Sequence, residues 1–280
     1  MQLAEKKVEV VNTTVRFREN GKTIGLVPTM GYLHRGHLAL IRQASRQNDV
    51  VAVSIFVNPT QFNEAKDFDS YPRDRKHDLE VLKNAKVQLL FMPSTEEMYP
   101  DDEKTMFDLG GLDRNMEGAS RPGHFNGVAQ IVTRLFDVFN PHRAYFGEKD
   151  FQQLVIIRHI VKTLGYPVEI VGCPIVREAD GLAMSSRNKL LDAGQRAGAA
   201  VIPETLRKAV DMATRKSPAE VRSFVEETFA DHPEAKLEYF EIADPITLEP
   251  LGILSQDSRA IAFIAVRYGP VRLIDNMRIL

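Results

Sequence analysis

The chain has 280 residues, 44% hydrophobic and 26% charged, with 36 Lys and Arg against 38 Asp and Glu for a formal charge of −2. Those proportions exclude a disordered chain, and a single cysteine, Cys173, excludes a disulfide-built scaffold. The near-neutral balance removes the electrostatic case for a dedicated nucleic-acid binder, while leaving room for a local basic pocket that takes a small anion.

The N-terminal run Met1-Gln2-Leu3-Ala4-Glu5-Lys6-Lys7 has no apolar stretch of signal-peptide type. No apolar run reaches the ~18 residues that span a bilayer, so a cytoplasmic protein without membrane association is expected. Residues 23–27 form the first predicted strand, ended by Pro28, and residues 37–46 a helix. The nearly unbroken apolar run 50–57, rich in β-branched residues, suits a strand buried on both faces of a parallel sheet. A helix over 73–84 and a strand over 89–92 follow. Val128, Ile131, Val132, Leu135, Phe136 and Phe139 step by three and four and so share one helical face. After a strand at 144–146, Leu154, Ile157, Val161 and Leu164 make a second such face, and 168–173 a fifth strand.

Strand–helix alternation predicts right-handed βαβ units and an α/β, Rossmann-like, doubly wound parallel sheet. Ligands of such sheets lie at the carboxyl ends of the strands. Beyond about Val176 the texture changes to helices over 194–213 and 218–231, then strands over 237–242, 260–266 and 271–274. The expected division is a nucleotide-binding domain over 1–177 and a smaller C-terminal α+β domain, a lid, over 178–280.

Three segments carry the chemistry. Pro28-Thr29-Met30-Gly31-Tyr32-Leu33-His34-Arg35-Gly36-His37 joins the first strand to a helix. His34 and His37 are three apart, so a first helical turn brings them to one side. Gly31 and Gly36 let backbone approach a ligand, and the helix N-terminus favours phosphate. Zinc is disfavoured, because the H-E-x-x-H spacing is absent. In Phe146-Gly147-Glu148-Lys149-Asp150, Lys149 can neutralise phosphate, while Asp150 is equally a helix N-cap. The third segment runs from Val176 through Gly181 to Met184-Ser185-Ser186-Arg187, two hydroxyls and a guanidinium suited to polyphosphate.

These segments fall in order with Phe56-Val57-Asn58-Pro59-Thr60-Gln61-Phe62, Tyr71-Pro72-Arg73, Arg121-Pro122-Gly123-His124-Phe125, the pair Gln152 and Gln153, and Asn188. From about Pro28 to Asn188 the sequence resembles the pantothenate synthetase (pantoate–β-alanine ligase) family of the HxGH nucleotidyltransferase superfamily.

The resemblance implies condensation of ATP, (R)-pantoate and β-alanine to pantothenate, AMP and pyrophosphate through a pantoyl-adenylate, in a homodimer. It implies that His34, His37 and Lys149 are catalytic, with His37 the proton donor. ATP would lie on Met30, Gly31, His34, Gly36, His37, Gly147, Glu148, Lys149, Asp150, Val176, Met184, Ser185, Ser186 and Arg187. Pantoate and β-alanine would lie on Gln61, Gln153, Met30 and Asn58. Met30 and Phe62 are candidates for the wall around the gem-dimethyl group, against ordinary packing. Mg²⁺ would bridge phosphate oxygens with few protein ligands. Asp78 is a candidate outer partner of the metal, against a solvated helix position. No protein nucleophile is needed, and Cys173 reads as core. A nucleotidyltransferase with a phosphorylated acceptor would call for more Arg or Lys near Gln61 and Gln153. A tRNA synthetase is disfavoured by length and charge, and a non-catalytic nucleotide sensor by the reactive groups over the phosphates.

Overall fold

A computed structural model describes residues 1–63, 65–100, 105–255 and 258–279. In chain order the elements are β1 (Gln2–Ala4), α1 (Lys7–Glu19), β2 (Ile24–Thr29), α2 (Arg35–Gln47), β3 (Val50–Ile55), α3 (Ala65–Ser70), α4 (Arg75–Asn84), β4 (Leu89–Phe91), α5 (Thr95–Met98), α6 (Met116–Ser120) and α7 (His124–Phe139). There follow β5 (Arg143–Gly147), α8 (Phe151–Leu164), β6 (Glu169–Cys173), α9 (Ala193–Gly198), α10 (Val201–Ala213), α11 (Pro218–Ala230), β7 (Ala235–Ala243), β8 (Ala260–Tyr268) and β9 (Val271–Ile279).

Among the described residues six strands form a parallel sheet in the order β1-β4-β3-β2-β5-β6. The chain winds outward from β2 in both directions, so the strand order reverses between β2 and β5. There the loops after the two strands diverge and open a crevice. Helix α7 buries its Val128, Ile131, Val132, Leu135, Phe136 and Phe139 face on one side of the sheet, and α2 covers the other through Ile41 and Ala44. The three antiparallel strands β7-β8-β9 form a second sheet, packed under α10 and α11 around Leu206, Val221, Val225 and Ile264. No described helix is long and apolar enough to cross a membrane.

Several elements differ from the sequence expectation. Strand β2 runs through Pro28 to Thr29. The β2–β5 ladder stops at Leu26, and Ile24 O accepts from His142 N on that side. Pro28 faces the same side by alternation, so its missing N–H costs no ladder bond. The helix expected over 194–213 is two helices, because Pro203 has no N–H to give the carbonyl of Ala199 and is tolerated only within the first turn of α10. Leu164 is 50% exposed, since Gly165 (φ 71°) ends α8 just past the core. Strand β9 continues five residues beyond Ile274. Neither β1 nor α1 was signalled by pattern.

Candidate active site

The loop after β2 turns at Gly31 (φ 83°), where a Cβ would lie 2.9 Å from Oδ2 of Asp78. That carboxylate is the loop's anchor. Asp78 Oδ2 accepts from Tyr32 N at 2.9 Å and Oδ1 from Leu33 N at 2.7 Å. Asp78 is 2% exposed, so it is neither a solvated helix residue nor an outer partner of a metal. Its two oxygens are committed to the backbone behind the cleft. Gly31 likewise lies behind the wall, packed on Asp78 and Ile55, and serves the turn rather than a ligand.

His34 occupies the N-cap of α2, where its Nδ1 accepts from Gly36 N at 3.1 Å. His37 Nδ1 accepts from His34 N at 3.2 Å, and the two ring centroids are 4.1 Å apart. With each Nδ1 used as an acceptor, each neutral ring carries its proton on Nε2. Burial, then the charge of Lys149, lowers the His34 pKa to about 4. Burial, then His34 and Lys149, lowers that of His37 to about 3. Both rings are neutral at pH 7 and offer two N–H donors to the cleft. In the free protein His37 is therefore a neutral hydrogen-bond donor through its Nε2–H.

Across the crevice, after β5, Gly147, Lys149 and Asp150 line the same cleft. Lys149 Nζ lies 3.7 Å from Asp150 Oδ1. Asp150 holds the N-cap position of α8 without a side-chain capping bond, so its carboxylate remains available to the cleft. Glu148 departs from expectation. Its carboxylate turns away to Arg278, at 3.4 Å, and it does not line the cleft.

The third wall follows β6. Met184 N donates to Val176 O at 2.9 Å, and Arg177 bridges Ala183, folding this segment back on itself. Val176, Met184, Ser185, Ser186 and Arg187 thus reach the cleft together. Ser186 Oγ donates to Tyr32 O at 3.3 Å, and Arg187 Nη2 reaches both oxygens of Asp67 at 3.0 and 3.2 Å. Ser185 Oγ accepts from Arg187 N, which leaves its O–H free to donate.

Beside this polar region lies a pocket with Phe56, Phe62, Val128 and Ile131 on its walls. Helix α7 approaches the 59–61 turn closely because Gly127 has no side chain; a Cβ there would strike the Thr60 carbonyl. Asn58, fully buried, donates to Gly127 O and Gln61 Oε1 and accepts from Tyr99 Oη at 2.7 Å. It braces the turn and lines the cleft beside Gln61. Gln61 Nε2 sits 3.0 Å from Met30 Sδ. Gln153 lines the cleft and has no hydrogen-bond partner among the described residues. Its neighbour Gln152 is spent on Glu117 N, Leu112 O and Asn115 O. Cys173 is 3% exposed, with burial pushing its thiol up to about 11, which suits core and not a nucleophile.

Arg121, His124 and Tyr71 also line the cleft, although no role came to them from sequence. His124 Nδ1 lies 2.7 Å from Gln61 O, so it must be the donor there, and its Nε2 accepts from Arg121 Nη1 at 3.1 Å. Arg121 Nη2 donates to Gln61 O as well, at 3.2 Å. Their signal was only the Arg-Pro-Gly-His block; what it clamps is a backbone carbonyl 60 residues away.

A family model described as pantoate-β-alanine ligase matches residues 2–278. Pantothenate synthetase of Phocaeicola vulgatus is 50% identical over 279 residues, covering 99% of each chain. That of Porphyromonas gingivalis is 46% identical over 278 residues, again 99% of each. Among solved structures, pantothenate synthetase of Thermus thermophilus superposes with a TM-score of 0.92 at 44% identity, covering 100% of this chain and 99% of that one. A pantoate-β-alanine ligase from Francisella tularensis, complexed with β-γ ATP and β-alanine, gives 0.77 at 34% identity over 99% and 97% of the two chains. With the sheet, the crevice and near-complete coverage in agreement, the chain belongs to the pantoate-β-alanine ligase family.

Proposed function

We propose that the chain condenses ATP, (R)-pantoate and β-alanine to pantothenate, AMP and pyrophosphate, and that its cleft does so through a pantoyl-adenylate. The observation that carries this reading is the meeting, at the strand-order reversal, of two Nε2–H donors and Lys149 with the free amide of Gln153. A carboxylate is a poor acylating agent because its leaving group would be oxide. Attack of a pantoate carboxylate oxygen on the α-phosphorus breaks the bond to pyrophosphate and leaves an acyl group attached to AMP. The β-alanine amine then attacks that carbonyl carbon, loses a proton, and the C–O bond to AMP breaks.

His34, His37 and Lys149 hold the phosphates and stabilise charge as the α-phosphorus is attacked. The O–H of Ser185, with Ser186 and Arg187, closes over the triphosphate. Gly147, Asp150 and the backbone at Val176 hold ribose and adenine. Gln61 and Gln153 offer donor and acceptor to pantoate, whose methyl groups lie against Met30 and Phe62. Among the described residues no three His, Cys, Asp or Glu cluster to cage a metal. Asp150 is the sole carboxylate among the cleft-lining residues. That donor set fits a Mg²⁺ held chiefly by phosphates and water, where it would neutralise charge on the triphosphate. The division near residue 177 assigns the acid and adenine walls to the parallel-sheet part and the Ser185–Ser186 wall to the smaller part. Use of ATP supports a cytoplasmic setting, and the family resemblance supports a homodimer.

Pyrophosphate exchange into ATP tests the reaction order. Exchange is expected with pantoate alone, before any β-alanine is added; strict dependence on β-alanine would replace the adenylate with a concerted path. A hydrogen bond to a charged group contributes roughly 1.5–3 kcal/mol, and about 1.4 kcal/mol is tenfold. Gln153→Ala should therefore weaken pantoate use ~10- to 150-fold, with ATP affinity unchanged. Loss of ATP affinity with an unaltered pantoate KM would move the acid pocket elsewhere.

A further inference from the structure

We infer that Asn276, on the last strand of the small sheet, is a positioning residue for Lys149, an inference that rests on the role of Lys149 proposed above. Strand β9 alternates its faces. Val271, Leu273 and Ile279 enter the core under α10 and α11, whereas Arg272, Asn276 and Arg278 reach back to the parallel-sheet half. Asn276 is 5% exposed, and its Nδ2 donates to two successive carbonyls, Glu148 O and Lys149 O, each at 2.9 Å.

Those carbonyls belong to the short 3-10 turn Glu148–Asp150 between β5 and α8. The turn's direction decides which of its side chains enters the cleft. With both carbonyls drawn toward β9, Lys149 faces the histidines while Glu148 turns out to Arg278.

The anchor is itself rigid. Asp275 Oδ1 accepts from Asn276 N at 2.7 Å and from Arg177 Nη2 at 3.0 Å. Arg177 Nη1 meets Asp275 Oδ2 at 2.6 Å and Gly181 O at 2.9 Å, and Arg177 Nη2 donates to Asn276 O at 3.1 Å. One buried knot thus holds both the Lys149 turn and the start of the Ser185–Arg187 wall at a set separation. Neither wall has another described side chain with two donor contacts on the Lys149 turn. A displacement of about 1 Å at a reacting centre can cost on the order of 10²-fold in rate.

The test is a double-mutant cycle on the full-length enzyme with Asn276→Ala and Lys149→Ala, reading kcat and KM with thermal stability alongside. Asn276→Ala is expected to lower kcat roughly 10- to 100-fold, within the cost of such a displacement, with pantoate KM little changed. In the Lys149→Ala background the same substitution should have almost no further effect on kcat, because its target is gone. A merely structural residue would lower kcat by the same factor in both backgrounds, and that outcome overturns the inference. So would an Asn276→Ala enzyme of full activity beside an inactive Lys149→Ala enzyme. Full activity of Lys149→Ala would instead overturn the role given to the lysine. Should Asn276→Ala not fold, Asn276→Ser, smaller but still polar, enters the same cycle and is read by the same criteria.

Discussion

At the scale of single residues, the three histidines of the cleft have had their ordinary protonation suppressed. Burial lowers His34 to about 4, His37 to about 3 and His124 to about 4, and each ring meets a backbone group that selects one tautomer. In the unfolded chain a histidine takes up its proton near 6.5. Below that pH the unfolded state binds protons that the folded cleft refuses, so stability falls as pH falls from about 6.5 toward the folded values. Glu117, held down to about 2 against burial by Arg272, adds its own loss only below its ordinary 4.5. Urea unfolding between pH 7 and 5 is therefore expected to show a steady decline, reduced when His34, His37 and His124 are all replaced by Asn. A flat profile for the natural sequence would mean that the rings take up protons in the folded state as they do in the unfolded chain.

Among elements, the reach of one helix into the loop of another sets the geometry. Helix α4 sends Asp78 into the amides of Tyr32 and Leu33, and Tyr32 is held at φ 52° just before the His34 cap. Asp78→Ala strands two buried N–H groups, at about 1–3 kcal/mol each. The expected result is a stability loss of about 2–6 kcal/mol for the two groups together and a fall in kcat, with the Mg²⁺ concentration for half-maximal activity unchanged. A shift in that Mg²⁺ requirement would restore the metal-partner role. Much at this scale was legible in advance: β3, α7 and α8 bury their apolar positions at strand or helix spacing. Helix α1 was not, because Val8, Val11 and Val15 face solvent while Thr13 and Thr14 are buried, the reverse of the usual pattern. Strand β1, three residues long, is a strand only through its pairing with β4.

Over the whole molecule, the segment from Arg177 to Leu190 connects the two sheets and carries one wall of the cleft. Past its Arg177 anchor, its polar ties to the facing elements are few: Ser186 Oγ to Tyr32 O, and the partly exposed Arg187–Asp67 and Arg35–Glu178 pairs, of the kind that contributes little by itself. A triphosphate bridging Ser185, Ser186 and Arg187 to Lys149 would add several charge-assisted hydrogen bonds. Hydrogen exchange over residues 177–190 should therefore slow on saturation with a nonhydrolysable ATP analogue, excluding water that would hydrolyse an acyl-adenylate. Unchanged protection would show that the loop is already closed in the free enzyme.

By itself the sequence determined the α/β class, the strand–helix order and the three segments of the cleft, since periodicity and the Gly, His and Ser-Ser-Arg motifs are local and survive without a partner. It also determined the family, because six blocks agree in order. Only tertiary structure decided what each polar residue does. Asp78 looks like a metal partner in sequence yet is spent on backbone amides, while Arg121, His124 and Asn276 act on carbonyls that the chain brings to them from 60 to 128 residues away. A hydrogen bond satisfies whichever group folding puts in reach, and that choice is made by the packing of two sheets rather than by spacing along one chain.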